Sequence, residues 1–389
     1  MFLVPRNVFF LGLVSFFNDL SSEMIYPIVP IFLTSVLHAS IPVVGLIEGV
    51  AEATASIGKF IFGTYSDYIQ KRKPFVIGGY SFAAVSKILI ALSYSWPLVL
   101  FARFIDRFGK GMRTSSRDSL LLDSANETNR GFIFGFHRAF DSLGAVIGPL
   151  IALVLLYSLH ENIRLTFLIA FIPASIAVIL LFFFVHETKK PLTARKFHLK
   201  NFRWGLLDKR LKIFLFISFL FSVGNSSDAF LLLQAKNLGL TTILVVLAYV
   251  LYNISQTVFA TPLGKLSDKI GAKRVFSIGL IVFAIVYFSF GIIKTPHLLW
   301  LLFPIYGIYI AATDGVSKAY IGEFIKKEES GTFFGAYYTI TAMGAFLASF
   351  VGGILWSQIN PSATFFYGSI MAIIAFAVFT LFQKEFRNG

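Results

Sequence analysis

The chain of 389 residues has no cysteine, which excludes disulfides, thiolate metal sites and thiol nucleophiles and leaves the compartment open. It is also short of charge. Only 14% of residues are Asp, Glu, Lys or Arg, where a soluble domain carries roughly a quarter. No Gly-x-x-x-x-Gly-Lys-Ser/Thr segment is present to cradle a nucleotide phosphate, so ATP is not the expected energy source. The six histidines, His38, His137, His160, His186, His198 and His297, show no metal-ligand spacing. These absences remove the usual enzyme chemistries and predict neither metal nor cofactor. His137 alone, beside Arg138 on a charged helix, stands out among them.

What the chain has is apolar length. Hydrophobic residues make up 56%, Phe alone numbers 46, and the mean hydropathy is +0.76. Apolar segments of about 20 residues between polar breaks give about twelve membrane spans. The first, from about Val8 to Leu37, contains Asp19 and Glu23 and is too long for a cleavable signal, so it reads as a permanent span. The net charge of +14 is a matter of sidedness. Alternate breaks hold Lys71, Arg72 and Lys73, then a basic run from Lys189 to Lys212, then Lys265, Lys269, Lys273 and Arg274. The intervening breaks hold Arg164, Lys236 and Lys294. By the positive-inside rule both termini lie in the cytoplasm, and the basic excess reports topology rather than nucleic acid. The expected partner at this level is the lipid bilayer of the cytoplasmic (inner) membrane; protons and a small-molecule substrate are expected from the intramembrane charges and the resemblance given below, and the chain is expected to be a monomer.

One pattern occurs twice, about half a chain apart. Gly63-Thr64-Tyr65-Ser66-Asp67 runs into Lys71-Arg72-Lys73, and Gly264-Lys265-Leu266-Ser267-Asp268 runs into Lys273-Arg274. Ser21-Ser22-Glu23 matches Ser226-Ser227-Asp228. Gly131, Gly135 and Gly144 match Gly331, Gly335 and Gly344, each 200 residues on. Registered matches across three span pairs predict a duplication, as internal repeats build transporter folds. The boundaries follow composition: an N-terminal six-helix bundle at 1–186, a basic cytoplasmic linker at 187–210, and a C-terminal six-helix bundle at 211–389. An amphipathic helix on the anionic leaflet and a solvated loop are both open readings of the linker.

Ionisable residues within the spans are the second informative feature, because each costs about 2.5–3.5 kcal/mol at a helix centre unless it faces a cavity or a partner. In the first span Asp19 and Glu23 share a face beside Asn18 and Ser22, and Asp19 lies ~16 Å along the helix at 1.5 Å per residue. Glu48, Glu52 and Lys59 form one stripe of the second span. Arg103, Asp106, Lys110, Arg113 and Arg117 make a polar ridge on the fourth. The fifth carries Arg138 and Asp141, and Lys87 stands alone in the third. The second half offers Asp228, Asp314 and Lys318. Structural ion pairs (Asp106 with Lys110, Arg138 with Asp141, Glu52 with Lys59) account for part of this set. The candidates for carrying a coupling proton are Asp19, Glu23, Glu48, Glu52, Asp106 and Asp141, since a carboxylate in a dry cavity exchanges protons near neutrality. The cavity candidates are Asn18, Tyr26, Arg103, Lys110, Arg113, Arg138, Asp228, Asp314 and Lys318. Phe104, Tyr306, Tyr309 and Tyr320 either line a pocket or pack in the core.

These motifs resemble those of the major facilitator superfamily over essentially the whole chain. Gly264 to Arg274 is similar to its loop signature, Gly-x-Leu-Ala-Asp-Arg-x-Gly-Arg-Lys, with Asp268, Gly271, Lys273 and Arg274 in place. The first copy keeps Gly63, Asp67, Lys71 and Arg72 but has Tyr65 for Leu, Tyr68 for Arg and Gln70 for Gly. Gly135, Gly144 and Gly148-Pro149 resemble the fifth-helix pattern of the superfamily's antiporters, although its closing Gly-Gly is Ala152-Leu153 here. Asp19 followed by Pro27 and Pro30 resembles the first-helix motif of drug–proton antiporters, and Arg103 resembles the fourth-helix Arg linked in the family to proton transfer.

The resemblance implies an all-α membrane protein of twelve spans in two pseudo-symmetric halves, with Gly63, Asp67, Arg72, Gly264, Asp268, Arg274, Gly144, Gly148 and Pro149 in gating roles. It implies a proton-coupled antiporter that exports a small organic molecule by alternating access. Two alternatives stand beside it. A proton symporter would import a polar or anionic solute such as a carboxylate or siderophore, drawn by Lys110, Arg113 and Arg117. A sensor would move nothing and would tolerate Asp19→Asn.

Overall fold

The computed structural model describes residues 4–69, 71–124, 130–187, 209–322 and 330–382, and they contain helices and no strand. The first half holds α1 (Arg6–Ile25), α2 (Ile41–Ile69), α3 (Lys73–Ala91), α4 (Trp96–Asp123), α5 (Arg130–Ser158) and α6 (Ile163–Phe184). The second holds α7 (Lys209–Gly224), α8 (Ala229–Asn237), α9 (Thr242–Ile270), α10 (Ala272–Ile292), α11 (Leu299–Gly322), α12 (Ser330–Gln358) and α13 (Pro361–Leu381).

Eleven segments of the described chain are long and apolar enough to cross a membrane. Two of them are broken helices: Arg6–Val36 contains α1, and Lys209–Asn237 contains α7 and α8. The twelfth expected span is α4. Its 28 residues exceed the ~20 needed to cross, but its charged ridge removes it from any apolar count. The breaks fall at corresponding places in the two halves and have different causes. After α1 the chain turns at Tyr26–Ile28, where Pro27 can donate no backbone hydrogen bond. Between α7 and α8 the turn is Asn225-Ser226-Ser227-Asp228, residues whose short polar side chains compete with helical bonding.

By their internal contacts the residues group into two compact units, Met1–Leu37 with Thr54–His198, and His38–Ala53 with Leu199–Gly389. The same packing pattern builds each. In the first, α1 packs on α5 and α6, and α3 on α4 and α6. In the second, α7 packs on α12 and α13, and α10 on α11 and α13. The first unit's apolar core joins Val8, Leu11 and Val14 of α1 to Val76 and Tyr80 of α3, Leu120 and Leu121 of α4, and Leu181 of α6. The beginning of α2 belongs to the second unit because it lies directly on α12, with Gly45 against the Ser349 carbonyl and Gly49 against Phe346.

One end of the first unit is tied by polar contacts. The Glu187 carboxylate accepts from the backbone N–H of Lys73 at 2.7 Å and of Arg72 at 3.1 Å, so it caps the start of α3. This places negative charge at the positive end of a helix dipole. The Arg72 guanidinium meets Asp123, at the end of α4, at 2.9 Å. Asn7 and His186 exchange two hydrogen bonds that fix the start of α1 beside the end of α6. In the second unit the matching loop is a single residue, Gly271, whose φ of +94 joins α9 to α10 and explains why a glycine stands there.

Candidate functional site

The first unit concentrates its buried charge where α1, α3, α4 and α5 meet. On α4, Arg103, Asp106, Arg107 and Arg113 are buried, while Lys110 and Arg117 of the expected ridge are half-buried. Close approach makes this possible. A Cβ on Gly79 or Gly109 would collide with the other residue's carbonyl at 2.5 Å, so α3 and α4 touch backbone to backbone there. Arg113 then lies over the Tyr80 ring, 4.7 Å from its centroid, and Arg103 lies 5.7 Å from that of Tyr26.

Lys87 is not alone. Its Nζ is 3.0 Å from Asp106 Oδ1 and donates to Ser22 Oγ at 3.3 Å, and Lys87 is only 1% exposed. Asp106 also has Arg107 at 3.9 Å and accepts from Ser86 Oγ at 3.4 Å. Helical spacing points to Lys110, on the same helix, as the partner of Asp106. The ion pair instead links α3 to α4 across the bundle. Asp106 thus has Lys87 and Arg107 as its cationic neighbours.

Asp19 accepts from Asn18 Nδ2 at 3.1 Å and lies within electrostatic reach of Asp141 on α5 and of Lys110, Arg113 and Arg117 on α4. Arg117 is itself held by Asp118 at 3.0 Å and donates to Ser15 Oγ at 2.9 Å. Asp141 has His137 as its neighbour, with Nδ1 to Oδ2 at 3.6 Å, while Arg138 is exposed on the same helix. The glycines of α5 set how near this helix comes. A Cβ on Gly144 would stand 2.6 Å from the Phe16 carbonyl and 3.1 Å from Asp19 Cβ. One on Gly148 would stand 2.6 Å from the Leu20 carbonyl and 3.1 Å from Glu23 Cβ. Gly144 and Gly148 therefore seat α5 directly against the turns of α1 that carry Asp19 and Glu23.

The second unit fills the corresponding place with tyrosines. Asp228, at the break between α7 and α8, accepts from Tyr306 at 2.6 Å and from Tyr252 at 3.1 Å. Asn225 donates to the Tyr309 hydroxyl at 3.0 Å, and Tyr287 donates to the Ser226 carbonyl at 3.2 Å. The rings of Tyr306 and Tyr309 lie 5.2 Å apart, and those of Tyr252 and Tyr306 5.4 Å. Glu48, 4% exposed, and Glu52, on the part of α2 that belongs to this unit, are the carboxylates in electrostatic reach of Asp228. The sequence alone points to Tyr306 and Tyr309 but not to Tyr252 and Tyr287. A signal existed in the 200-residue register, which puts Tyr287 at the position of Lys87 and Tyr306 at that of Asp106.

The side chains of Asp67, Asp268, Asp314, Lys318 and Tyr320 lie outside the described residues. Among the described residues no group of His, Asp and Glu could hold a metal ion. The two clusters gather buried ionisable and hydroxyl groups of opposite character, a cation-rich set in the first unit and a tyrosine-ringed carboxylate in the second.

Comparison with known proteins agrees with this architecture. A family model described as Major Facilitator Superfamily matches residues 11–248 and 214–388. An uncharacterized MFS-type transporter of Methanocaldococcus jannaschii is 38% identical over 380 residues, 96% of this chain and 94% of its own. The class B tetracycline resistance protein of Escherichia coli is 27% identical over 138 residues, 36% of this chain and 34% of its own. Among solved structures, a POT family transporter in complex with 5-aminolevulinic acid superposes with a TM-score of 0.83 at 14% identity, covering 99% of this chain and 97% of that one. The duplicated six-span architecture, the charged fourth span and a family match over nearly the whole length lead to one conclusion: the chain is a transporter of the major facilitator superfamily, not an enzyme.

Proposed function

We propose that this transporter is a proton-coupled antiporter that exports a small organic molecule from the cytoplasm, with Asp19 as the carrier of the coupling proton. The observation that carries the reading is the setting of Asp19. It lies at mid-span among Lys110, Arg113 and Arg117, with a second carboxylate, Asp141, competing for the same cations. Protonation of Asp19 removes a negative charge from that set, and its loss restores it. A switch of one charge inside a low-dielectric bundle biases one conformation over another, which is what coupling by alternating access requires. The likeness to a tetracycline resistance protein supports export as the direction. The basic loops support an orientation with both termini in the cytoplasm.

One observation favours a second reading. The interior of the first unit is richer in cations than in anions, with Arg103, Arg107, Lys110, Arg113 and Arg117 on a single helix. That suits attraction of an anionic solute and would serve a symporter.

The test uses tetracycline as the probe. Cells that express the protein are expected to accumulate less of it than cells with the empty vector, and a protonophore should abolish the difference. Lowered accumulation that survives the protonophore would contradict proton coupling. Raised accumulation, or proton-driven uptake of a carboxylate pool, would favour the symporter.

A further inference from the structure

We propose that His137 is the proton-transfer residue that connects Asp141, and through it Asp19, to water at the start of α5; this rests on the proton-coupled reading above. His137 and Asp141 are one turn apart on α5, and Nδ1 faces Oδ2 at 3.6 Å. The ring is 4% exposed. Two polar atoms of the pair, His137 Nε2 and Asp141 Oδ1, are buried with no hydrogen-bond partner among the described residues. Buried polar atoms are rarely left so, and a group that hands protons on is one explanation for such a gap. Depth orders the series. At 1.5 Å per residue, His137 lies about 10 Å from the start of α5, Asp141 about 16 Å, and Gly144, which lies against Asp19, about 21 Å.

The groups around the pair come from each helix packed on α5. They are Asp19 on α1, Lys110, Arg113 and Arg117 on α4, and Arg138 on α5 itself, while α6 has no ionisable residue between Arg164 and its end. Arg117 and Arg138 put positive charge near the imidazole. The transfer balances without a co-reactant. The Asp19 O–H breaks as an Asp141 O–H forms. That bond breaks as His137 Nδ1 takes the proton, and Nε2 releases its own proton to water. The ring regains its starting tautomer when Nε2 takes a proton from water and Nδ1 passes its own to Asp141, which is the same relay run inward.

The experiment needs no solute. Purified protein in lipid nanodiscs is stepped to lower pH while the protonated-carboxyl stretch is followed by time-resolved infrared, and Asp19→Asn identifies the Asp19 band. His137→Gln is expected to slow the rise of that band at least about tenfold, the low side of the ~10²–10⁴ that a positioned acid–base group supplies. Its final amplitude and titration midpoint should stay unchanged, and added imidazole should recover part of the rate, which a merely structural role would not allow. A His137→Gln rate equal to the wild type overturns the proposal and leaves Asp19 as proton carrier intact. A band that Asp19→Asn fails to remove overturns the proton-carrier reading instead. Should His137→Gln not fold, Asp141→Asn reads the same connection: slowed protonation of Asp19 supports it, and the wild-type rate overturns it.

Discussion

Lys87 and Asp106 offer the sharpest test of how this protein keeps charge inside a membrane. The pair is buried at 3.0 Å, with side chains 1% and 9% exposed. Lys87→Met leaves the Asp106 carboxylate without its main counter-charge. Removing one partner of a buried pair costs about 3–5 kcal/mol. Asp106 would keep Arg107 at 3.9 Å and Ser86 at 3.4 Å, so the lower end, about 3 kcal/mol, is expected. Replacing both residues, as Lys87→Met with Asp106→Leu, removes no net charge from the surrounding arginines. It should return stability to within about 1 kcal/mol of the wild type, because a buried pair exchanged for apolar groups is often neutral. The second half of the chain sets a precedent, since the registered positions hold Tyr287 and Tyr306 with ring centroids 6.2 Å apart. Unfolding by SDS in mixed micelles, followed by circular dichroism, measures all three variants. Additivity of the single changes to within about 0.5 kcal/mol would refute the argument, since directly interacting residues must couple.

Other consequences are as direct. Tyr306→Phe removes the 2.6 Å donor to Asp228 and should lower stability by about 1–3 kcal/mol in the same titration, with Tyr252→Phe, at 3.1 Å, costing less. Gly148→Ala places a methyl group against the Leu20 carbonyl and should cost about 1–3 kcal/mol, and it should also lower solute transport in vesicles by displacing Glu23 and its neighbours. Glu187→Gln keeps the shape of the α3 cap but removes its charge, so a loss of about 1 kcal/mol is expected, read as a lower SDS midpoint.

Much of this was legible in the sequence because a membrane simplifies the code. Apolar length gave the spans, and the breaks in α1 and after α7 fall beside Ser21-Ser22-Glu23 and at Ser226-Ser227-Asp228, where the repeat had aligned the halves. The 3–4 spacing of α4 predicts one charged face, on which Arg103, Asp106 and Arg113 are buried and Lys110 and Arg117 half-buried. Partners across the bundle were not legible. Nothing local to Lys87 states that Asp106 of the next helix will reach it, and Asp141 faces His137 where helical spacing had pointed to Arg138. Glu187 lies at the first position assigned to the linker, yet its carboxylate finishes α3, a contact spanning 114 residues of sequence. Tyr252 and Tyr287 escaped notice because tyrosine at helical spacing is ordinary packing until a carboxylate or carbonyl is found at its hydroxyl. The grouping of His38–Ala53 with the second unit was equally invisible, since composition changes at the linker and not within α2.

The central claim, proton-for-solute antiport through Asp19, is tested most directly in inside-out vesicles energised to an acidic lumen, with candidate solutes added in pools. The account predicts that at least one pool discharges the gradient when the protein is present, and that Asp19→Asn, at equal expression, removes the discharge. Discharge that persists undiminished in Asp19→Asn would contradict Asp19 as the coupling site. No discharge by any pool, together with proton-driven uptake in right-side-out vesicles, would contradict antiport itself.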